Sequence, residues 1–310
     1  MTSASRTAAV VVTWEGGEAT VRCVDSLLAQ TRLPAEVLVV DNASSAAERG
    51  ALQARFGGEP RVRLLLLDEN RQFAGGLNAG AAAAGPGVER LLFLNNDTRL
   101  EPDALARLED ALDATPGAGI AGPRVMDVAS GTVLTAGERH GLWLLCVPRT
   151  LLRYRRSPTA PYRVSGVMGC ALLATRACWR AVGGFSEEIA VYYEDVDFCL
   201  AARAHGYGVV LEPRAVFWHD GIRGFARGLT PWAAFLKARN PWLLMRRRGA
   251  RAAWLGFVPT YAALLASSAA LWALRGRGDV VRALGRGVGA GLRTALGAPA
   301  GAVTAPRRVG

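Results

Sequence analysis

A chain of 310 residues that is 51% hydrophobic and 20% charged is too apolar for a disordered protein and long enough to bury a core. The net charge of +11 is uneven: residues 237–310 hold 13 basic residues and one acid, whereas residues 1–236 hold 24 basic and 25 acidic ones. Five cysteines, odd in number and without a CxxC pair, argue against a zinc ribbon or a disulfide framework and for a reducing compartment.

Ala8–Trp14 (AAVVVTW) is uniformly apolar and β-branched, as a strand buried on both faces should be. It is too short for a signal peptide and has no cleavage pattern, so the body is expected in the cytosol. Ala19–Gln30 sets Val21, Val24, Leu27 and Leu28 on one helical face. Glu36–Asn42, Val62–Asn70 and Arg90–Asp97 repeat the buried-strand pattern. Ala46–Phe56 and Gly75–Ala84 between them are helix-compatible, and Glu101–Ala114 follows. Such alternation predicts an α/β fold with right-handed crossovers and a mostly parallel sheet. Farther on, Gly119–Asp127 and Thr132–Ala136 read as short strands, Gly141–Pro161 as irregular and basic, and Val164–Ala174 as one strand rich in small residues. Arg176–Val182 and Glu194–His205 read as helices, and Val209–Trp218 as an extended run ending at His219.

The charge shift divides the chain into a body, 1–236, and a basic C-terminal region, 237–310, with an uncharged segment at 252–274. Arg246, Arg247, Arg248 and Arg251 precede that segment, and Arg275 and Arg277 follow it. Its length suits a membrane span, and its flanks suit an interfacial helix on anionic lipid. A core helix is the other reading and leaves the arginine flanks unexplained. Nucleic acid is not expected as a partner, because the apolar segment suits lipid better.

Three strands end in polar clusters: Asp41-Asn42, Asp68-Glu69-Asn70 and Asn95-Asn96-Asp97. Ligands of open α/β sheets bind at the carboxyl ends of strands, so the three together predict a carboxylate-rich cleft; one alone would read as a helix cap. Asn95-Asn96-Asp97 offers hard oxygen ligands to Mg2+ or Mn2+, ions that take one or two carboxylates plus substrate phosphates. Glu194-Asp195 opens a helix, where the macrodipole favours ionised acids, and the preceding Val191-Tyr192-Tyr193 could desolvate a carboxylate toward general-base work. Plain charge complementarity at a helix start is the alternative. His219 reads as a metal ligand or a structural imidazole. Gly75–Gly80 is a weak phosphate loop; no GxGxxG follows the first strand and no GxxxxGK[ST] occurs, which counts against NAD(P) enzymes and P-loop NTPases.

In order, VVVTW, SLLAQTRLPAEVLVVDNASS, ENRQFAGGLNAG, LFLNNDTRLEPDAL, the run from GCALLATRACW to VFWHD, and KARNPWLLMRR resemble the family 2 glycosyltransferases over about residues 8–245. The bacterial rhamnosyltransferase-like branch is the nearest in look. The resemblance implies a GT-A fold, a Rossmann-like sheet with helices on both faces. It also implies a metal-dependent, inverting hexosyl transfer from a nucleotide-diphosphate sugar, dTDP-L-rhamnose being one candidate. The implied acceptor is a hydroxyl of a glycan or polyprenyl-linked molecule at the cytoplasmic face of the cell membrane. Carried over by motif, Asp195 is the favoured base, with Glu194 close behind, and Asp97 and His219 are the metal ligands. Thr13, Asp41, Asn70, Asn78, Asn96 and Arg239 are the expected donor-binding residues, with Asp41 at the base or ribose and Arg239 at the diphosphate. Departures from the family pattern at Glu15, Gln72 and Ser44–Ala47 all fall on the donor side. A nucleotidyltransferase would need Arg and Lys close after Glu15-Gly16-Gly17, and an inactive membrane-recruited nucleotide-sugar-binding module would not need the full set of acids.

Overall fold

A computed structural model of the chain describes residues 5–139, 149–150, 159–220 and 229–299. Its first half alternates as the apolar runs predict: β1 (Thr7–Thr13), α1 (Glu18–Leu28), β2 (Glu36–Asp41), α2 (Ala46–Phe56), β3 (Val62–Leu66), α3 (Gln72–Ala83) and β4 (Arg90–Asn95). These four strands are mutually parallel. Then come β5 (Thr98–Leu100), α4 (Ala104–Ala114), β6 (Ala118–Asp127) and β7 (Val133–Thr135), and a small separate pair of β8 (Glu138–Arg139) with β9 (Arg149–Thr150). β10 (Tyr162–Val164), β11 (Ala171–Thr175), α5 (Arg176–Val182), α6 (Glu194–Ala204) and β12 (Gly208–His219) complete the body. Three helices follow: α7 (Pro231–Arg248), α8 (Ala253–Leu274) and α9 (Gly278–Ala295). The main sheet runs β10-β12-β6-β11-β4-β1-β2-β3, with β5 on β12 and β7 on β6. Only β5, β7, β10 and β11 run against their neighbours.

β1 shows why the pattern works. Its alternate residues face opposite sides: Val10 and Val12 pack with Leu77 and Ala81 of α3, whereas Ala9 and Val11 pack with Val24 and Leu27 of α1. A strand buried on both faces must be apolar throughout, and each fully buried Val or Leu adds about 1.5–3 kcal/mol over exposure. The glycines of GGLNAG are explained by the same packing. A Cβ on Gly80 would lie 2.4 Å from Val10 Cγ1, and one on Gly76 would lie 2.8 Å from Val12 Cγ1. They let α3 lie close on the sheet and do not form a phosphate loop.

The structure corrects several expectations. Val164–Ala174 is not one strand: Ser165–Cys170 leaves the sheet, so β10 joins β12 while β11 inserts between β4 and β6. β3 stops at Leu66, which frees the Asp68–Asn70 cluster for the loop into α3. The irregular stretch Gly141–Pro161 lies mostly outside the described residues. The boundary expected at 236/237 falls inside α7, whose Leu243 and Leu244 pack with Ile189 and with Val196 of α6.

Helix α8 is the one helix among the described residues long and apolar enough to cross a membrane by length and composition. Its first turns bury Phe257 and Tyr261 against Trp242 and Met245 of α7, while Leu255 and Leu274 stand 79% and 88% exposed. Three of the four arginines before it have another explanation than lipid. Arg247 Nε and Arg248 Nε reach Asp197 Oδ1 of α6 at 3.2 and 2.7 Å, and Arg246 pairs with Glu188. They fasten α7 to the body.

Candidate active site

The cleft lies over the carboxyl ends of β1, β2, β4 and β12 and has a volume of about 720 Å³. After Asn95 the chain turns through Asn96-Asp97 into β5, which pairs antiparallel with the end of β12 so that Thr98 sits opposite His219. This three-residue strand brings together Asp97 and His219, far apart in sequence. His219 Nε2 lies 3.2 Å from both Asp97 Oδ1 and Asn95 Nδ2. Burial works against the Asp97 carboxylate, but the hydrogen bond and charge of His219, helped by Asn95, outweigh it and hold its pKa below the usual range. His219 Nδ1 is buried without a hydrogen-bond partner among the described residues. No cluster of three His, Cys, Asp or Glu side chains able to hold a metal occurs among the described residues. One carboxylate and one imidazole facing an open cleft fit an ion that takes its remaining ligands from substrate.

The start of α6 also lines the cleft. Asp195 accepts from Gly169 N at 2.7 Å through Oδ2 and from Val196 N at 2.8 Å through Oδ1. Gly169 belongs to the segment that leaves the sheet between β10 and β11, which explains that departure. A Cβ there would come within 2.8 Å of Asp195 Cβ, so only glycine lets the backbone approach the acid. Glu194 is buried, with Oε2 unpartnered among the described residues; burial first, then the Asp195 charge, pushes its pKa well above the ordinary value.

This wall is held in an unusual conformation. Ala190, Tyr192 and Tyr193 have φ of 64°, 62° and 73°, in the left-handed region that non-glycine residues avoid. Asn240 of α7 fixes them, donating through Nδ2 to the carbonyls of Ile189, Val191 and Tyr192 at 3.0, 2.7 and 2.9 Å. Arg239 Nη2 donates to Glu188 O at 2.6 Å.

On the donor side, Thr13, Asn70 and Asn96 line the cleft as expected. Asn96 Nδ2 donates to Thr13 Oγ1 and Thr20 Oγ1 at 3.3 and 3.1 Å. Asp41 is fully buried, its Oδ2 held by Arg49 Nε at 2.7 Å and its Oδ1 unpartnered among the described residues. Its neighbour Asn42 lines the cleft and braces the loop into α3 through Arg71 N and Gln72 O.

Asp41, expected at the base or ribose, is thus not among the lining residues, and two further expected donor residues lie elsewhere. Both amide ends of Asn78 are engaged by Phe185, Nδ2 to its O at 2.9 Å and Oδ1 from its N at 2.8 Å, so the residue clamps α3 to the chain after α5. Arg239 faces a second cavity of about 670 Å³ with Arg286 and Arg293. The reason is helical geometry: Lys237, two residues and about 200° earlier on α7, lines the cleft. Lys237, Asn42, Gln72, Tyr192 and Trp232 also line the cleft, although none was assigned a site role from sequence. Asn42 stood in the strand-end cluster with Asp41, Tyr192 in the apolar stretch before Glu194, Lys237 at the head of KARNPWLLMRR and Gln72 at a departure from the family pattern, whereas Trp232 carried no signal.

The family model Glycosyl transferase family 2 matches residues 8–176. Among characterised proteins, the N-acetylglucosaminyl-diphospho-decaprenol L-rhamnosyltransferase of Mycobacterium tuberculosis is 30% identical over 240 residues, covering 70% of this chain and 77% of its own. Among solved structures, GalNAc-T7 with UDP, GalNAc and Mn2+ superposes with a TM-score of 0.57 at 16% identity, covering 69% of this chain and 43% of that one. S. aureus TarS 1–349 in complex with UDP gives 0.54 at 16% identity, covering 79% and 67%. These likenesses show the GT-A fold, and with the matched half of the sequence they lead to one conclusion: the chain belongs to glycosyl transferase family 2.

Proposed function

We propose that the protein transfers a hexosyl group, with inversion, from a nucleotide-diphosphate sugar to a hydroxyl of a glycan or polyprenyl-linked acceptor. One observation carries the reading: Asp97 with His219, and Glu194-Asp195, line the same cleft. Asp195 is the base. Two backbone N–H groups orient its carboxylate, and an oxygen takes the acceptor's proton as that hydroxyl attacks the anomeric carbon and the bond to the nucleoside diphosphate breaks. Attack from the face opposite the leaving group inverts the configuration. Asp97 and His219 would hold a Mg2+ or Mn2+ ion, which when bound supplies neutralising charge to the diphosphate. Asn42, Asn70 and Asn96 position the nucleotide. L-rhamnose as the sugar and a diphospho-polyprenol as acceptor carrier are favoured by the mycobacterial relative's activity.

Exposed leucines along α8 favour seating on the cytoplasmic face of a membrane, close to a lipid-linked acceptor.

The test is a thermal-shift screen of nucleotide sugars with Mn2+, followed by a transfer assay on lipid-linked acceptors. A donor should raise the unfolding temperature by mass action, and transfer should fall at least about 1,000-fold in Asp195→Asn with donor binding retained. Full turnover by Asp195→Asn would remove it as the base.

A further inference from the structure

Of the 37 basic residues in the chain, one is a lysine, Lys237; all others are arginines. That lysine is also the one Lys or Arg among the described residues lining the cleft, where the other ionisable groups include Asp97, Glu138, Glu194 and Asp195. A diphosphate entering a cleft lined by these acids gains from a cation carried by the protein itself, in addition to any metal ion held there. Lys237 Nζ lies 4.8 Å from the centroid of the Tyr192 ring, which itself neighbours the Trp232 ring at 6.1 Å. Its backbone is equally fixed. Pro241 has no N–H for the Lys237 carbonyl four residues back, and Tyr261 of α8 donates its hydroxyl there instead, at 2.8 Å.

We propose that the Lys237 ammonium, seated beside the Tyr192 ring, is the cleft's protein-borne charge partner for a substrate diphosphate. The inference rests on the transferase reading and adds a binding residue to which the family resemblance assigned no role. Two sources present this chemistry, the nucleoside diphosphate of the donor and the diphosphate of a lipid-linked acceptor. Burial pushes the Lys237 amine down to about 8, and a neighbouring anion would favour its protonated form.

A single lysine makes the test specific. The full-length protein is acylated with an N-hydroxysuccinimide ester at pH 8, and the Lys237 peptide is followed by mass spectrometry, the N-terminal amine serving as reference. Reactions contain Mn2+ with UDP, dTDP, UMP or geranyl diphosphate, and thermal shift is read in parallel. Protection of about tenfold or more by UDP or dTDP, and not by UMP, identifies the donor diphosphate; protection by geranyl diphosphate identifies the acceptor's. Lys237→Met should raise KM for the corresponding substrate about tenfold or more with kcat within about threefold, and Lys237→Arg should rescue it in part. Unchanged acylation while thermal shift reports diphosphate binding overturns the assignment and leaves the transferase reading standing. Absence of binding by every nucleotide and prenyl diphosphate removes both.

Discussion

Glu194 is 6% exposed, and Asp195 adds a like charge beside it. Its folded-state pKa is raised, so the protonated form is favoured in the fold and the stability it brings is present below the unfolded value and lost as pH rises through the folded one. Glu194→Gln, which copies the neutral form, should flatten the fall of the unfolding temperature between about pH 5 and pH 8. It should leave the variant at least as stable as the parent at pH 8. A variant whose stability follows the parent's slope would show that Glu194 is ionised without penalty. At this scale the sequence was legible where a residue's place depends on the strand it ends: Asp97, Asn96 and Thr13 follow apolar runs that must stop at the sheet edge. It was not legible where direction on a helix decides. Asn78 and Arg239 match motif positions, but a motif carries no rotation angle, and α3 and α7 turn both away from the cleft.

Elements show a similar division. The buried strands and α2 and α5 match their apolar patterns, whereas β5 is too short to carry a period. Helix α9 was invisible because Gly285, Gly287, Gly289 and Gly291 lower helix propensity. Two of the four serve contact: a Cβ on Gly287 would lie 2.3 Å from Phe235 O, and one on Gly291 would lie 2.5 Å from Trp242 Cδ1. Packing on α7 holds the helix that propensity disfavours. Gly80 of α3 allows a direct check of the same logic. Gly80→Ala should cost about 1–3 kcal/mol in chemical denaturation, since Val10 and Val40 cannot both retreat. Asn240 joins elements differently, through three carbonyls of the left-handed stretch before α6. Asn240→Ala should lose about 3 kcal/mol and lower kcat more than it raises donor KM, because the Asp195 wall loosens. Unchanged kcat in a destabilised variant would separate the loop from catalysis.

Across the whole molecule, a neutral catalytic body and a basic helical tail were readable from charge, but their relation was not. The arginine flank suggested lipid, yet Arg246, Arg247 and Arg248 are engaged by Glu188 and Asp197, so the proposed membrane seating draws chiefly on the exposed leucines of α8. Replacing Leu255, Leu264 and Leu271 with Gln should abolish co-flotation with vesicles while donor-induced thermal shift persists. Continued flotation would place the lipid contact elsewhere.

The hydroxyl that Tyr261 lends to the Lys237 carbonyl has a practical corollary for anyone trimming the chain to obtain a well-behaved soluble enzyme. A cut ahead of residue 261 strips away more than an apolar helix: it strands the proline-vacated carbonyl of a cleft-lining residue and removes the Tyr261 ring that meets Trp242 edge-on. Solubility is better sought by recolouring the outer side of that helix than by removing it.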